Sequence, residues 1–167
     1  MSWSTRPRGR RSPAPRPAGA KMNKKEIEQE VKKYEEKGFN VYQMNEIRYG
    51  LEKGLDVSKY ADPKFNHDQM GQIRRGLQNG VDIDKYADPA FNGYQMQEIR
   101  KGLEDGLNIN KYANPKFDFW QMQEIRYGLE KGVDVDKYVN PELNHWQMKK
   151  IREGLENKKQ KEPEMEI

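Results

Sequence analysis

Residues 84–96 read "DKYADPAFNGYQM", and the same phrase stands 26 residues earlier as "SKYADPKFNHDQM" (58–70) and 26 residues later as "NKYANPKFDFWQM" (110–122). In that register, units begin at Phe39, Phe65, Phe91, Phe117 and Leu143, the last stopping near Asn157. A fixed period of this size is the mark of an array in which each unit is one supersecondary element.

Every unit opens with a helix start. Asn40, Asn66, Asn92, Asp118 and Asn144 are candidate N-caps, and Gln43, Gln69, Gln95, Gln121 and Gln147 follow at capping-box spacing. A Phe or Leu before the cap and a Met four positions into the helix (Met44, Met70, Met96, Met122, Met148) form a hydrophobic staple. The helix runs about 13 residues to Gly54, Gly80, Gly106 or Gly132, where a left-handed turn favours glycine. The fifth unit has Lys158 at that place. Asp56, Asp82, Asn108 and Asp134 then start a one- or two-turn helix, ended by Pro63, Pro89, Pro115 and Pro141.

The long helix carries one thin apolar stripe, Met44, Ile47 and Leu51 in the first unit, too narrow to be buried alone. Neighbouring units must cover it. Gly50, Gly76, Gly102, Gly128 and Gly154 sit inside the helix, where glycine costs about 1 kcal/mol relative to alanine. Their recurrence predicts a close approach there by the next unit's helix or short segment. Residues 22–38 predict a separate capping helix, boxed by Asn23 and Glu26 with a stripe of Ile27, Val31 and Tyr34. The fold class expected is an all-α solenoid: capping helix 22–38, repeat array 39–157, and a charged tail at 158–167 that frays.

The phrase "YADPKFN..QM.EIR.GLE.G" resembles the tandem helical repeats of uncharacterised proteins from gut-dwelling Gram-positive bacteria. The resemblance covers residues 39–157 and implies a helical repeat and a bacterial source. It implies no activity.

Composition narrows the functional classes. Apolar residues are 34% and charged residues 35%, with no cysteine, so thiolate chemistry and Cys-type zinc sites are excluded. No run approaches the length of a membrane span, and no apolar signal-peptide core opens the chain, which predicts a cytoplasmic protein. Of the net charge of +4, the first 20 residues contribute five arginines and no acid, leaving 26 basic and 27 acidic residues elsewhere. Residues 1–21 therefore predict a disordered Arg/Pro-rich tail. Two readings of it stay open: an arm that holds nucleic acid or an acidic surface through Arg6, Arg8, Arg10, Arg11 and Arg16, and a fusion or expression remnant preceding Met22.

No catalytic constellation, cofactor motif or metal-ligand spacing stands out. His67 and His145 lie three units apart, which offers no shared metal or proton relay and marks them as ordinary surface residues. The recurrent Asp-x-Asp pairs lack the glycine and terminal glutamate of an EF-hand loop. Arg48, Arg74, Arg100, Arg126 and Arg152 make a ladder that would suit a phosphate backbone. Glu52, Glu104, Glu130 and Glu156, four residues on, pair with it instead.

The units disagree along one stripe, the columns headed by Val41, Tyr42, Asn45, Tyr49 and Lys53, which share a helix side away from the apolar stripe. The candidate interaction face is Tyr42, Tyr49, Asp68, Arg75, Tyr94, Lys101, Trp120, Tyr127 and Trp146, an aromatic row with a gap at Asp68. Drift of exposed positions is the plainer explanation of such variability. The expectation is a non-enzymatic scaffold for a protein partner. The alternative is nucleic-acid binding through the tail and the arginine ladder.

Overall fold

The computed structural model describes residues 20–161, and the arginine tail up to residue 19 lies outside the described residues. The architecture is all-helical: α1 (Lys24–Glu35), α2 (Val41–Glu52), α3 (His67–Asn79), α4 (Gly93–Glu104), α5 (Phe119–Glu130) and α6 (His145–Lys161). Single 3-10 turns at Val57–Lys59, Ile83–Lys85, Ile109–Lys111 and Val135–Lys137 return the chain between units. Substantial helix–helix packing joins only consecutive helices, the arrangement of a short solenoid.

The helix starts form as the sequence predicts. In α1 to α5 the cap side chain accepts from the third helical amide while the Gln or Glu at that position accepts from the cap amide. The Gln of α2 to α5 has a further task. Its Nε2 donates into the next unit, from Gln43 to the Phe65 carbonyl (2.7 Å), from Gln69 to Phe91 (2.6 Å) and from Gln95 to Phe117 (2.6 Å). One amide thus starts its own helix and pins the following one. Gly54, Gly80, Gly106 and Gly132 have φ of 62 to 73°, the left-handed turn that stops α2 to α5.

The core is a repeated column. Ile47, Ile73, Ile99 and Ile125 are fully buried, as are Met70, Met96, Met122 and Met148 and the tyrosines Tyr60, Tyr86 and Tyr112. Each of these tyrosines, and Tyr138, lies across its own unit's helix and donates its hydroxyl to a backbone carbonyl there, Tyr112 to Glu98 at 3.0 Å. That position explains four internal glycines. A β-carbon on Gly50, Gly76, Gly102 or Gly128 would collide with the tyrosine hydroxyl. The close approach is therefore made by the unit's own short segment, not by the next unit. At Gly154 nothing among the described residues lies within 4 Å of a β-carbon.

The C-terminal end departs from expectation. Of the tail expected to fray at 158–167, residues 162–167 lie outside the described residues, and the first four residues are helical, α6 continuing to Lys161. Lys158 replaces the glycine that stops the other helices, so no left-handed turn interrupts it. The extension is anchored, because Lys159 Nζ donates to the carbonyls of Lys131 and Gly132 at the end of α5, both at 3.1 Å. Those acceptors are orphan C-terminal carbonyls of the kind that lysine side chains commonly satisfy.

Candidate functional site

The constant register of the array decides which side chains meet. Residues about 26 positions apart lie side by side on adjacent helices, as Arg74 with Glu46, Arg126 with Glu98 and Arg152 with Glu124 demonstrate at 2.7, 2.7 and 2.8 Å. These pairs relocate the arginine ladder. Each of the three guanidiniums reaches back to a carboxylate two positions before the preceding unit's arginine, while Arg100, Arg126 and Arg152 also pair with Glu104, Glu130 and Glu156 on their own helices. Arg48 takes Glu28 of the capping helix, and Arg100 takes the neutral Gln72 at 3.1 Å. Arg126 and Arg152 are buried. Although burial alone would weaken the hold of Arg126 on its proton, the bond to Glu98 and the charges of Glu98 and Glu130 together more than offset it, and the guanidinium stays charged. The ladder is a set of internal clasps between units, with its cationic groups facing carboxylates rather than solvent.

The variable columns lie beside these clasps, on the part of the helix surface that faces away from the apolar core. Tyr42, Tyr49, Tyr94, Trp120 and Trp146 are 52 to 68% exposed, the large apolar side chains that, with Val41, stand out most among the described residues. The first variable position of one unit packs on the second of the unit before: Tyr94 on Phe119 (ring centroids 5.6 Å apart), Trp120 on His145 (5.8 Å) and Tyr42 on His67 (5.2 Å). Within units, Phe119 meets Trp120 at 4.8 Å and His145 meets Trp146 at 4.7 Å. The result is a ribbon of five rings, Tyr94, Phe119, Trp120, His145 and Trp146, crossing α4 to α6. His67 and His145 are thus ring-stacking residues. Their sequence signal was their place beside an aromatic in the neighbouring unit's column.

Between Tyr42 and Tyr94 the ribbon breaks at Asp68. The cause is steric as well as compositional: Gly93 is buried, and a β-carbon on it would come within 2.7 Å of Asp68 Cβ, so α3 and α4 approach too closely for a ring. A small recess of about 210 Å³ lies here, lined by Asp68, Gln72, Arg75 and Tyr94 among others. A larger groove of about 560 Å³ opens between α5 and α6, lined by Trp120, Tyr127 and Trp146 together with Gln123, Lys149 and the Glu124–Arg152 pair.

The remaining candidates are distributed along this face. Tyr127 is half-buried under the Arg126 and Arg152 guanidiniums, 4.8 and 5.7 Å from its ring, and Tyr49 lies 5.7 Å from that of Arg74. Lys101 bonds the buried Glu98 at 3.2 Å, which fixes its ammonium at the edge of the face. Asp68 and Arg75 are exposed at the gap. Arg6, Arg8, Arg10, Arg11 and Arg16 lie outside the described residues.

Among the described residues no group of three or more His, Cys, Asp or Glu is placed to hold a metal ion, and no helix is long and apolar enough to cross a membrane. Set against family models, curated proteins and solved structures, the chain matches none.

Proposed function

We propose that the protein is a non-enzymatic scaffold that recognises a protein partner through the ring-bearing face of its helical array. The observation that carries this reading is the exposed ribbon from Tyr94 to Trp146, set on a framework whose other columns are occupied by packing and capping. Exposed aromatic side chains in a contiguous patch carry a large free energy of desolvation that a partner recovers, and Trp and Tyr dominate binding hot spots. Their support is rigid, since each ring stands on a helix whose start is boxed, and α4 and α5 are also pinned to the next unit. The clasped arginines leave the ladder little to offer a phosphate backbone.

The test is affinity capture with the wild-type chain and with Trp120→Ser/Trp146→Ser, in the presence of nuclease. A partner retained by the first and lost by the second supports the reading. Capture that is unaffected by the double substitution, or that disappears with nuclease, contradicts it.

A further inference from the structure

The spacing of the rings identifies the kind of chain that would lie on them. From Tyr94 to Trp120 the ribbon takes two steps of 5.6 and 4.8 Å through Phe119, and from Trp120 to Trp146 two steps of 5.8 and 4.7 Å through His145. Equivalent rings therefore stand no more than about 10 Å apart, in keeping with the 8–10 Å between packed helices. A polyproline II helix repeats every three residues at 3.1 Å each, about 9 Å per turn. The roughly 8–10 Å between packed helices brackets that turn, and we infer that the ribbon is a docking surface for an acidic proline-rich peptide with proline at every third residue. This inference rests on the protein-recognition reading above.

Three features favour this occupant. The rings are tilted against one another by 33 to 67°, so they enclose wedge-shaped clefts rather than a flat platform, and a wedge suits a pyrrolidine ring. Aromatic-lined grooves are the usual receptors of this conformation, whose stiffness lowers the entropy lost on docking. Three cations stand along the flanks: Lys149, 5.6 Å from the Trp146 ring and 3.9 Å from Glu153, Lys101, two turns along α4 from Tyr94 and bonded to Glu98, and Arg75, exposed at the gap. Of the nearby acids, Asp118 is held as an N-cap by the Gln121 amide at 2.8 Å, and Asp68 lies past the last ring, at the gap. Acidic residues between the prolines would meet those cations. The chain's own tail has the opposite charge, and its prolines at positions 13, 15 and 17 recur every second residue, out of this register.

Fluorescence anisotropy with the full chain and a labelled peptide of four Pro-Ala-Glu triplets tests the inference. The triplet peptide should bind at least ten times more tightly than a peptide of the same composition with its prolines off the three-residue register. Three triplets should bind as well as four, because three equivalent rings are present before the gap. Trp120→Ser should weaken binding about tenfold, as should Trp146→Ser. Equal binding of the off-register peptide would reduce the effect to charge, and displacement by cellohexaose would make the ribbon a carbohydrate platform; either result overturns the inference. If no peptide binds while ring-dependent partner capture persists, the peptide class is wrong and the recognition reading survives. If ring dependence is lost in both experiments, both fall.

Discussion

Replacing Gly102 with alanine should destabilise the protein even though alanine is the better helix former. A β-carbon at 102 would collide with the Tyr112 hydroxyl and stand 2.9 Å from Ile109 Cγ2 and 3.1 Å from Tyr112 Cζ. Tyr112 has no freedom to withdraw, being fully buried with its hydroxyl on the Glu98 carbonyl at 3.0 Å. Overpacking of a dense core costs about 1–3 kcal/mol, and a displaced buried hydroxyl that loses its partner costs about 1–3 kcal/mol more. Against these stands a propensity gain of about 1 kcal/mol. The net expectation is a loss of about 1–5 kcal/mol, read from urea denaturation followed by circular dichroism. Gly154→Ala is the internal control: the same helical position with nothing within 4 Å should gain up to about 1 kcal/mol. Adding Tyr112→Phe to Gly102→Ala removes the colliding oxygen and should recover part of the loss. Equal stabilisation by both alanines would refute the assignment of the glycine column to tyrosine packing.

Glu98→Ala should cost about 3–5 kcal/mol, because it strands the buried Arg126 guanidinium. Glu98→Gln should cost much less, reproducing the Arg100–Gln72 contact already present in the array; equal effects of the two in chemical melts would mean that the clasp is not what matters. Alkaline titration should unfold the array cooperatively. Burial raises the phenols of Tyr60, Tyr86, Tyr112 and Tyr138 above their ordinary value of 10.0, so the unfolded chain loses these protons first. Stability is then intact below about pH 10 and falls as pH rises further, with a slope of about 1.4 kcal/mol per pH unit for each tyrosine. Phenolate absorbance rising well before helicity is lost would contradict this. Removing residues 158–161, or Lys159→Ala, should loosen the end of α5 by about 1 kcal/mol, detectable as faster amide exchange at Gly132 and Val133.

Local signals carried most of the fold into the sequence. Capping boxes, staples and left-handed glycines act within a few residues, and their repetition made the units and their boundaries readable. What depended on stacking was harder to see. Glu124 reaches Arg152 only because adjacent helices are offset by two residues beyond the 26-residue period, so the visible spacing pointed first to Glu156 on the same helix. The clasp left a trace nonetheless, in a column that reads Glu46, Gln72, Glu98 and Glu124, each set against an arginine of the following unit. The glycine column announced a close approach without naming its source, since a tyrosine ten residues on could fold back or belong to a neighbour's interface. The aromatic row and its gap were legible as a column, but the intervening rings of Phe119 and His145 became part of it only once the register of one helix on the next was known.

The account separates columns that hold the fold from columns that present a surface, and the stability of Trp120→Ser/Trp146→Ser tests that separation most directly. Both rings are more than half exposed, and their loss removes ring contacts worth about 0.5–1.5 kcal/mol each. With three contacts to Phe119 and His145 removed, urea denaturation should show a total loss of no more than about 4.5 kcal/mol, with the native helicity unchanged. A loss above about 5 kcal/mol, the scale of truncating large core aromatics, would place the rings in the framework and contradict the account.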